Sequence, residues 1–194
     1  MTEAPSPLRF LTGYPEPLLA QVRQMLSAGQ LGDYLAKRYL EPHTVRTDTA
    51  LYEYVSAIKN RHLRNAPALA KVVFDNHLQI DQRALGTLTS VSRVQGGRLT
   101  AKREIRVAAL FKDAPAAMLA MIIAHELSHL KEREHNKPFY ALCEHLLAGY
   151  AQVEFDTRIY LVWRASQSAP AVAAGPASKG IAPSELAPKR PTRL

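Results

Sequence analysis

The feature that most constrains this chain is an almost purely apolar segment that leads into three histidines. The sequence AAMLAMIIA, residues 116–124, has no polar side chain, and HELSH follows it directly. Pro115 suits the first turn of a helix, where its missing N–H costs nothing, and Asp113 is the predicted cap. A helix that is apolar on all sides is normally buried. The sequence therefore predicts a fold built around this helix, with the histidines at its end.

Two of the histidines are spaced to share one face of the helix. Successive residues of an α-helix turn by about 100°, so His125 and His129 lie about 40° apart and about 6 Å apart along the axis. Both imidazoles could therefore reach a single metal ion. Glu126 leaves the helix on an adjoining side, from which it could act on a water molecule at that ion. This H-E-x-x-H arrangement predicts a metal site with Glu126 as the general base.

The third histidine could complete the site only if the helix ends before it. A catalytic zinc ion usually has three protein ligands and one open position. On a continuous helix His135 would point away from the site, so the chain is predicted to turn within about residues 130–134. Asn136 and the proline two residues later are typical of the start of a new helix, which is predicted to continue through Trp163. With that turn, the predicted ligand set is His125, His129 and His135.

Other interpretations of the motif stay open. Glu144 and Glu154 follow the motif and are alternative third ligands, because some zincins take a glutamate from the next helix. The polar cluster could instead be a solvent-exposed helix end without a metal, although two histidines and a glutamate are costly to bury unpaired. Three imidazoles with an open position favour zinc, and manganese, nickel or cobalt are the alternatives.

Side chains near the motif have both catalytic and structural interpretations. Tyr140 and Tyr150 could donate a hydrogen bond to a developing oxyanion, or could simply pack. His145 could support a ligand from behind or lie on the surface. Cys143 stands among leucines, so it is interpreted as a buried apolar residue and not as a nucleophile.

Before this helix the sequence has the alternating pattern of β-strands. Strand-like runs cover residues 71–75, 87–94 and 98–111. The pair Gly96-Gly97 supplies the backbone freedom that a tight hairpin between the second and third runs needs. In the third run the odd positions from Ile105 to Phe111 are apolar, which predicts a strand with one face on a core.

Helical patterns dominate the first seventy residues, and a proline-rich segment ends the chain. Residues 16–29 and 48–67 have the apolar spacing of helices, with Asp48 as the predicted cap of the second. The residues after Trp163 are rich in proline and small side chains and are predicted to form a mobile tail. The predicted organisation is an N-terminal helical region at 1–66, a catalytic domain at 67–164 and a disordered tail at 165–194.

Composition limits the compartment and the partners. The chain has 194 residues, one cysteine and a formal net charge of +8. No intramolecular disulfide is possible, and no apolar run approaches the length of a membrane-spanning helix. We therefore expect a cytoplasmic protein with no membrane partner. Residues 71–112 carry eight basic and three acidic side chains, an excess that could attract nucleotides, nucleic acid or acidic proteins.

The motif and its surroundings resemble a known family. The segment IIAHELSHLKEREHNKPFYALCEHL, residues 122–146, resembles the YgjP-like metal-dependent hydrolases and, more distantly, the SprT-like zincins. The shared elements are the H-E-x-x-H helix, then His135 and Phe139. An arginine in an upstream hairpin strand of that family matches Arg93, although the two residues after it differ from the family's tryptophan and glycine. The resemblance covers about residues 86–163.

The resemblance implies an α+β, zincin-like fold in which a small, mostly antiparallel sheet packs on the active-site helix. Together with the motif it implies a zinc-dependent hydrolase. The first hypothesis is a metallopeptidase that acts on peptides or proteins. The alternative is a metal-dependent nucleotide pyrophosphohydrolase, an activity also attached to the YgjP-like group. A third hypothesis is a nucleic-acid-associated protein that uses its charge and tail, with the metal site as an accessory.

Overall fold

The computed structural model describes residues 7–78, 86–95 and 98–168. In this part of the chain the α-helices are α1 Glu16–Ser27, α2 Leu31–Arg38, α3 Asp48–His62, α4 Ala116–Ser128, α5 Lys137–Leu146 and α6 Tyr150–Ser168. The strands are β1 Leu69–Asp75, β2 Gly86–Gln95 and β3 Arg98–Ala108, and short 3₁₀ helices cover Pro7–Leu11 and Ala109–Lys112. The α+β class is confirmed.

The described residues form two compact units, one of residues 7–40 with 151–168 and one of residues 41–150. The sequence-based division into 1–66, 67–164 and 165–194 stays a prediction, because a compact unit is not by itself a domain that folds alone. Most of the predicted tail lies outside the described residues, as do the two hairpin glycines. Among the helices of the described part, none combines the length and the apolar character that a membrane crossing requires.

The unit of residues 41–150 contains a three-stranded sheet with the order β1-β3-β2. β2 and β3 are antiparallel, with Gln95 opposite Arg98 at their shared end, whereas β1 lies parallel to β3. The expected small sheet is therefore mixed, with one antiparallel and one parallel pairing. Ile105 and Val107 of the central strand are buried, which confirms that one face of β3 packs on a core.

β3 is shorter than its alternating pattern predicted. The pattern continued to Phe111, but the strand ends at Ala108 and a 3₁₀ helix follows. Phe111 is nevertheless fully buried, so its side chain packs on the core from a turn instead of a strand. Alternating apolar residues over a short run do not show where a strand ends and a 3₁₀ helix begins.

Helix α4 lies in the core, as its apolar sequence predicted. Nine of its thirteen residues are buried. The predicted cap was wrong: the N-cap residue is Pro115, which has no side-chain hydrogen bond, and Asp113 forms an ion pair with Arg46 instead. The fixed backbone angle of proline and the burial of α4 are enough to start the helix without a side-chain cap.

The cap of α3 is also one residue away from its predicted position. Thr47 is the N-cap residue, and its side chain accepts a backbone N–H of the first turn. Asp48, the predicted cap, accepts the backbone N–H of Phe74 in β1. A tertiary hydrogen bond therefore takes the side chain that the local pattern had assigned to the cap.

The segment after the motif forms two helices instead of the single helix that its sequence predicted. α5 ends at Leu146 and α6 begins at Tyr150. Gly149, between them, has a φ of +73°, a left-handed value that glycine adopts without strain. The start of α5 was predicted correctly, since the side chain of Asn136 accepts a backbone N–H as its N-cap. The break between the helices makes Tyr150 the first residue of α6 and so sets the direction of its side chain.

The unit of residues 7–40 and 151–168 has its own apolar core and a buried polar network. Leu31 and Phe155 are among its buried side chains. The carboxylate of Asp156, fully buried, accepts hydrogen bonds from the hydroxyls of Tyr34 and Tyr39 at 2.8 and 2.6 Å. Burial and this carboxylate raise the pKa of both tyrosines, so they stay protonated and able to donate. The sequence patterns indicated neither α2 nor this network.

Candidate active site

The three predicted ligands come together at the end of α4. His125 lies in the last turn of the helix, His129 is its C-cap residue, and His135 lies in the loop before α5. The ligand atoms of the three residues lie within 4.8 Å of one another. Across residues 7–78, 86–95 and 98–168, this is the one group of three or more histidine, cysteine, aspartate or glutamate side chains that could hold a metal ion. The predicted turn is present, because α4 ends at Ser128.

The spacing of the nitrogens fits a divalent transition metal. Nε2 of His125 and Nε2 of His135 are 3.1 Å apart. Two nitrogens that bind zinc at about 2.0–2.1 Å, with a tetrahedral angle between them, lie about 3.3 Å apart. The pair could therefore close on an ion with a shift of a few tenths of an ångström. His125 and His129 are half-buried and His135 is exposed, so one side of the site is open to solvent.

The remaining ring nitrogens of two of the histidines are held by partners. Nδ1 of His129 lies 3.0 Å from the carbonyl oxygen of Glu132, and Nδ1 of His125 lies 2.7 Å from the hydroxyl of Tyr150. A carbonyl can only accept, so Nδ1 of His129 carries the hydrogen and leaves the lone pair of Nε2 for a metal. The same tautomer of His125 lets its Nδ1–H donate to Tyr150. Such partners fix the orientation of a metal-binding imidazole.

A phenylalanine forms the floor of the triad. The ring centroid of Phe139 lies 5.0, 4.6 and 4.7 Å from those of His125, His129 and His135. Phe139 is fully buried in the first turn of α5. Its ring restricts the three imidazoles and excludes water from one side of them, which strengthens electrostatic interactions at the site.

Glu126 lies beside the triad in a nearly dry environment. Only 3% of its surface is exposed. Burial raises the pKa of Glu126 to about 8, and a hydrogen bond from the backbone N–H of Leu88 acts in the opposite direction. A divalent cation at the triad would stabilise the ionised carboxylate and lower this pKa. A carboxylate whose pKa lies near neutrality can both accept and return a proton under physiological conditions.

The other residues considered from the sequence have different environments. Glu144 is outside the histidine group and accepts the backbone N–H of Gly149 at 2.7 Å. Glu154 forms an ion pair with Arg158 at 3.0 Å in the other unit. The side chain of Arg93 lies outside the described residues.

The two remaining neighbours of the motif have structural surroundings. Cys143 is fully buried, and its sulfur lies 3.3 Å from the hydroxyl of Ser128, which fits the interpretation of a core residue. His145 is exposed, and its ring meets the ring of His62 at 5.4 Å. Nothing in these contacts gives His145 a part in holding the triad.

The contacts of three residues of the site had no local signal in the sequence. Tyr150 was considered as an oxyanion donor, and the structure adds that its hydroxyl lies 2.7 Å from Nδ1 of His125. Gly86 and Leu88 lie about forty residues before Glu126 in the chain, and both meet its side chain from strand β2. A strand-like pattern places residues on a face but does not say which helix side chain they meet.

The α+β scaffold, a buried helix that ends in three clustered histidines and an adjacent buried glutamate together define the site of a metal-dependent hydrolase. The family model described as YgjP-like, metallopeptidase domain, matches residues 88–156. The chain is also 55% identical over 156 residues to the UTP pyrophosphatase of Escherichia coli (strain K12), and the match covers 80% of this chain and 93% of that protein. No solved structure is significantly similar to the present chain. The chain belongs to the YgjP-like family.

The contact between Tyr150 and His125 leads to a prediction about metal affinity. We expect Tyr150→Phe to weaken the binding of a divalent metal ion about 10- to 100-fold, because the Nδ1–H of His125 loses its acceptor and the imidazole loses its fixed orientation. Competition with a chromogenic chelator measures the Kd. The matched control is Tyr54→Phe, a partly buried tyrosine of the same unit that should leave the Kd unchanged. An unchanged Kd in Tyr150→Phe would show that Tyr150 does not hold His125.

Proposed function

We propose that this protein is a metal-dependent nucleotide pyrophosphohydrolase that cleaves a nucleoside triphosphate, with UTP as the first candidate substrate. The observation that carries the proposal is the 55% identity to a protein named UTP pyrophosphatase, in a match that covers 93% of that protein's length. The histidine group and the buried glutamate support it, because phosphoanhydride hydrolysis needs stabilisation of negative charge and a base for water.

In this proposal each residue of the site has one role. His125, His129 and His135 would hold a zinc ion, and that ion would supply Lewis acidity, lowering the pKa of water and offsetting negative charge on phosphate oxygens. Glu126 takes a proton from the water whose oxygen attacks the α-phosphorus. The bond from that phosphorus to the bridging oxygen breaks, and pyrophosphate leaves with the electron pair. Glu126 then gives its proton to the oxygen of the leaving pyrophosphate, and the products are a nucleoside monophosphate and pyrophosphate.

The surroundings of Glu126 favour this proton transfer. Its carboxylate is almost fully buried, so bulk water does not compete for the proton. Phe139 keeps one side of the triad dry, while the exposed position of His135 leaves another side accessible. A large anionic substrate would approach from that accessible side.

Zinc is proposed as the ion because of the ligand type. Three neutral imidazoles suit zinc, and the same donors also bind manganese, nickel or cobalt. The relative affinities of a nitrogen site rise from manganese towards copper, so the ion found in the cell also depends on metal supply. Elemental analysis of the purified protein identifies it.

A second candidate function is the hydrolysis of peptides. The matching family model is described as a metallopeptidase domain. β2 is one of the two outer strands of the described sheet, and an outer strand can pair with an extended peptide. The same metal site and the same base would serve either substrate, so the two functions differ in what binds beside the site.

One assay separates these candidates. Purified protein is supplied with zinc, manganese, nickel or cobalt and incubated with UTP, the other nucleoside triphosphates or casein. We expect pyrophosphate and UMP to appear in equal amounts from UTP, with no cleavage of casein. Cleavage of casein without nucleotide turnover would replace the proposal with the peptidase. Release of inorganic phosphate in place of pyrophosphate would contradict the proposed site of attack.

A further inference from the structure

The first residue of β2 lies closer to the buried glutamate than any side chain would allow. A Cβ atom added to Gly86 would lie 2.8 Å from Oε1 of Glu126 and 3.1 Å from its Cγ. It would also lie 3.1 Å from Cγ2 of Ile122. Real Cβ atoms essentially never lie within 3.0 Å of a non-bonded heavy atom, so a contact at 2.8 Å would be repulsive.

The requirement for glycine at this position comes from space and not from backbone angle. Among the described glycines, left-handed φ values occur at Gly13, Gly29 and Gly149, and Gly86 is not one of them. Any residue could adopt the backbone conformation of Gly86. Only glycine leaves room for the carboxylate of Glu126.

Two residues further along the same strand, a backbone group bonds the carboxylate. The N–H of Leu88 donates to Glu126 and is therefore directed away from β3. Gly86 and Leu88 pair with Val107 and Ile105, so all four positions share the face of the sheet that is buried. The start of β2 thus limits the carboxylate sterically at one residue and fixes it by a hydrogen bond at the other.

We propose that Gly86 and the backbone N–H of Leu88 are positioning groups that set where the carboxylate of Glu126 lies relative to the triad. The inference rests on the proposed role of Glu126 as the base. A base must lie within hydrogen-bond reach of the proton that it accepts, and misplacement by about 1 Å can cost about 100-fold in rate. The backbone N–H of Leu88 and the glycine at position 86 position the carboxylate without any flexible side chain of their own.

The added methyl group of Gly86→Ala should move Glu126 and leave the fold intact. The carboxylate is the far end of a flexible side chain, whereas Ile122 belongs to the packed core of α4. The easier response is therefore rotation of Glu126 away from residue 86, which breaks its bond to Leu88. The histidines are not among the atoms that the methyl group meets first, so metal binding should persist.

The first experiment compares Gly86→Ala with Gly32→Ala. Gly32 lies in the other unit, where an added Cβ would be 3.0 Å from Nε1 of Trp163, so both variants add one crowded methyl group. We expect Gly86→Ala to lower kcat about 10- to 100-fold with KM and metal affinity unchanged, and Gly32→Ala to leave kcat unchanged. A wild-type kcat in well-folded Gly86→Ala would overturn the inference.

An NMR measurement tests the inference without any turnover. The amide proton of Leu88 should resonate further upfield in Gly86→Ala than in the wild type, because its bond to the carboxylate is lost. This result would stand even if the protein did not hydrolyse nucleotides, so it separates the positioning role from the proposed function. An unchanged Leu88 resonance would show that the carboxylate has not moved and would overturn the inference.

A second pair of variants applies if Gly86→Ala does not fold. Leu88→Pro removes the N–H that bonds Glu126, and proline is tolerated where the N–H of an outer strand points away from its neighbour. Leu88→Ala removes the side chain but keeps the N–H. We expect Leu88→Pro to have a kcat at least about tenfold below that of Leu88→Ala, at equal metal affinity. Equal kcat values in the two variants would show that the N–H has no positioning role.

Discussion

Replacing Glu126 with glutamine should lower kcat about 100- to 10,000-fold while the protein keeps its metal. Glutamine has nearly the same size and shape as glutamate, so the packing against β2 is retained, but its amide cannot accept a proton from water at neutral pH. The experiment measures pyrophosphate release from UTP together with the metal content of the same sample.

The control for this variant is the metal itself. Glu126 is not among the three clustered histidines, so the metal content of Glu126→Gln should equal that of the wild type. Activity close to the wild-type value, at equal metal content, would show that another group takes the proton and that the buried carboxylate is structural. Loss of the metal would instead make Glu126 part of the ligand set.

Replacing His135 with alanine should weaken metal binding by more than about 100-fold, which exceeds the usual effect of changing a residue behind a ligand. The variant leaves two imidazoles on α4, and these two alone no longer surround an ion. Because His135 is exposed in a loop, its removal leaves no buried cavity, and the fold should persist. Elemental analysis and competition with a chelator measure the loss, and circular dichroism checks the fold.

His145→Ala is the matched control for this second variant. It removes another exposed histidine, in α5, whose ring contacts His62 and not the triad. The control should retain metal affinity. If His135→Ala also retained it, the third ligand would have to come from elsewhere, and Glu144 would be the first residue to replace.

The local geometry of the site could be predicted because it follows from helical periodicity and from helix ends. His125 and His129 are four residues apart on a helix, and this spacing alone places them on one face. The need for a third ligand required the chain to turn, and the asparagine and proline after His135 indicated where the next helix starts. The structure contains both the turn and the cap.

Errors arose where a side chain had a tertiary partner. Asp48 and Asp113 had the local pattern of helix caps, but the first bonds to β1 and the second to Arg46. Gly149 lies in a long segment that was predicted to form one helix, yet its left-handed backbone separates α5 from α6. A local pattern reports what a segment can do, and contacts with distant residues decide among the possibilities.

The sequence by itself determined the buried helix α4, the shared face of His125 and His129, and the turn that brings His135 beside them. Each of these depends on residues within about twenty positions, so spacing and polarity are sufficient. Only the tertiary structure decided that Tyr150 holds His125 and that the start of β2 confines Glu126. These contacts join residues up to forty positions apart, and no periodic pattern encodes them because they exist only once the sheet packs on the helix.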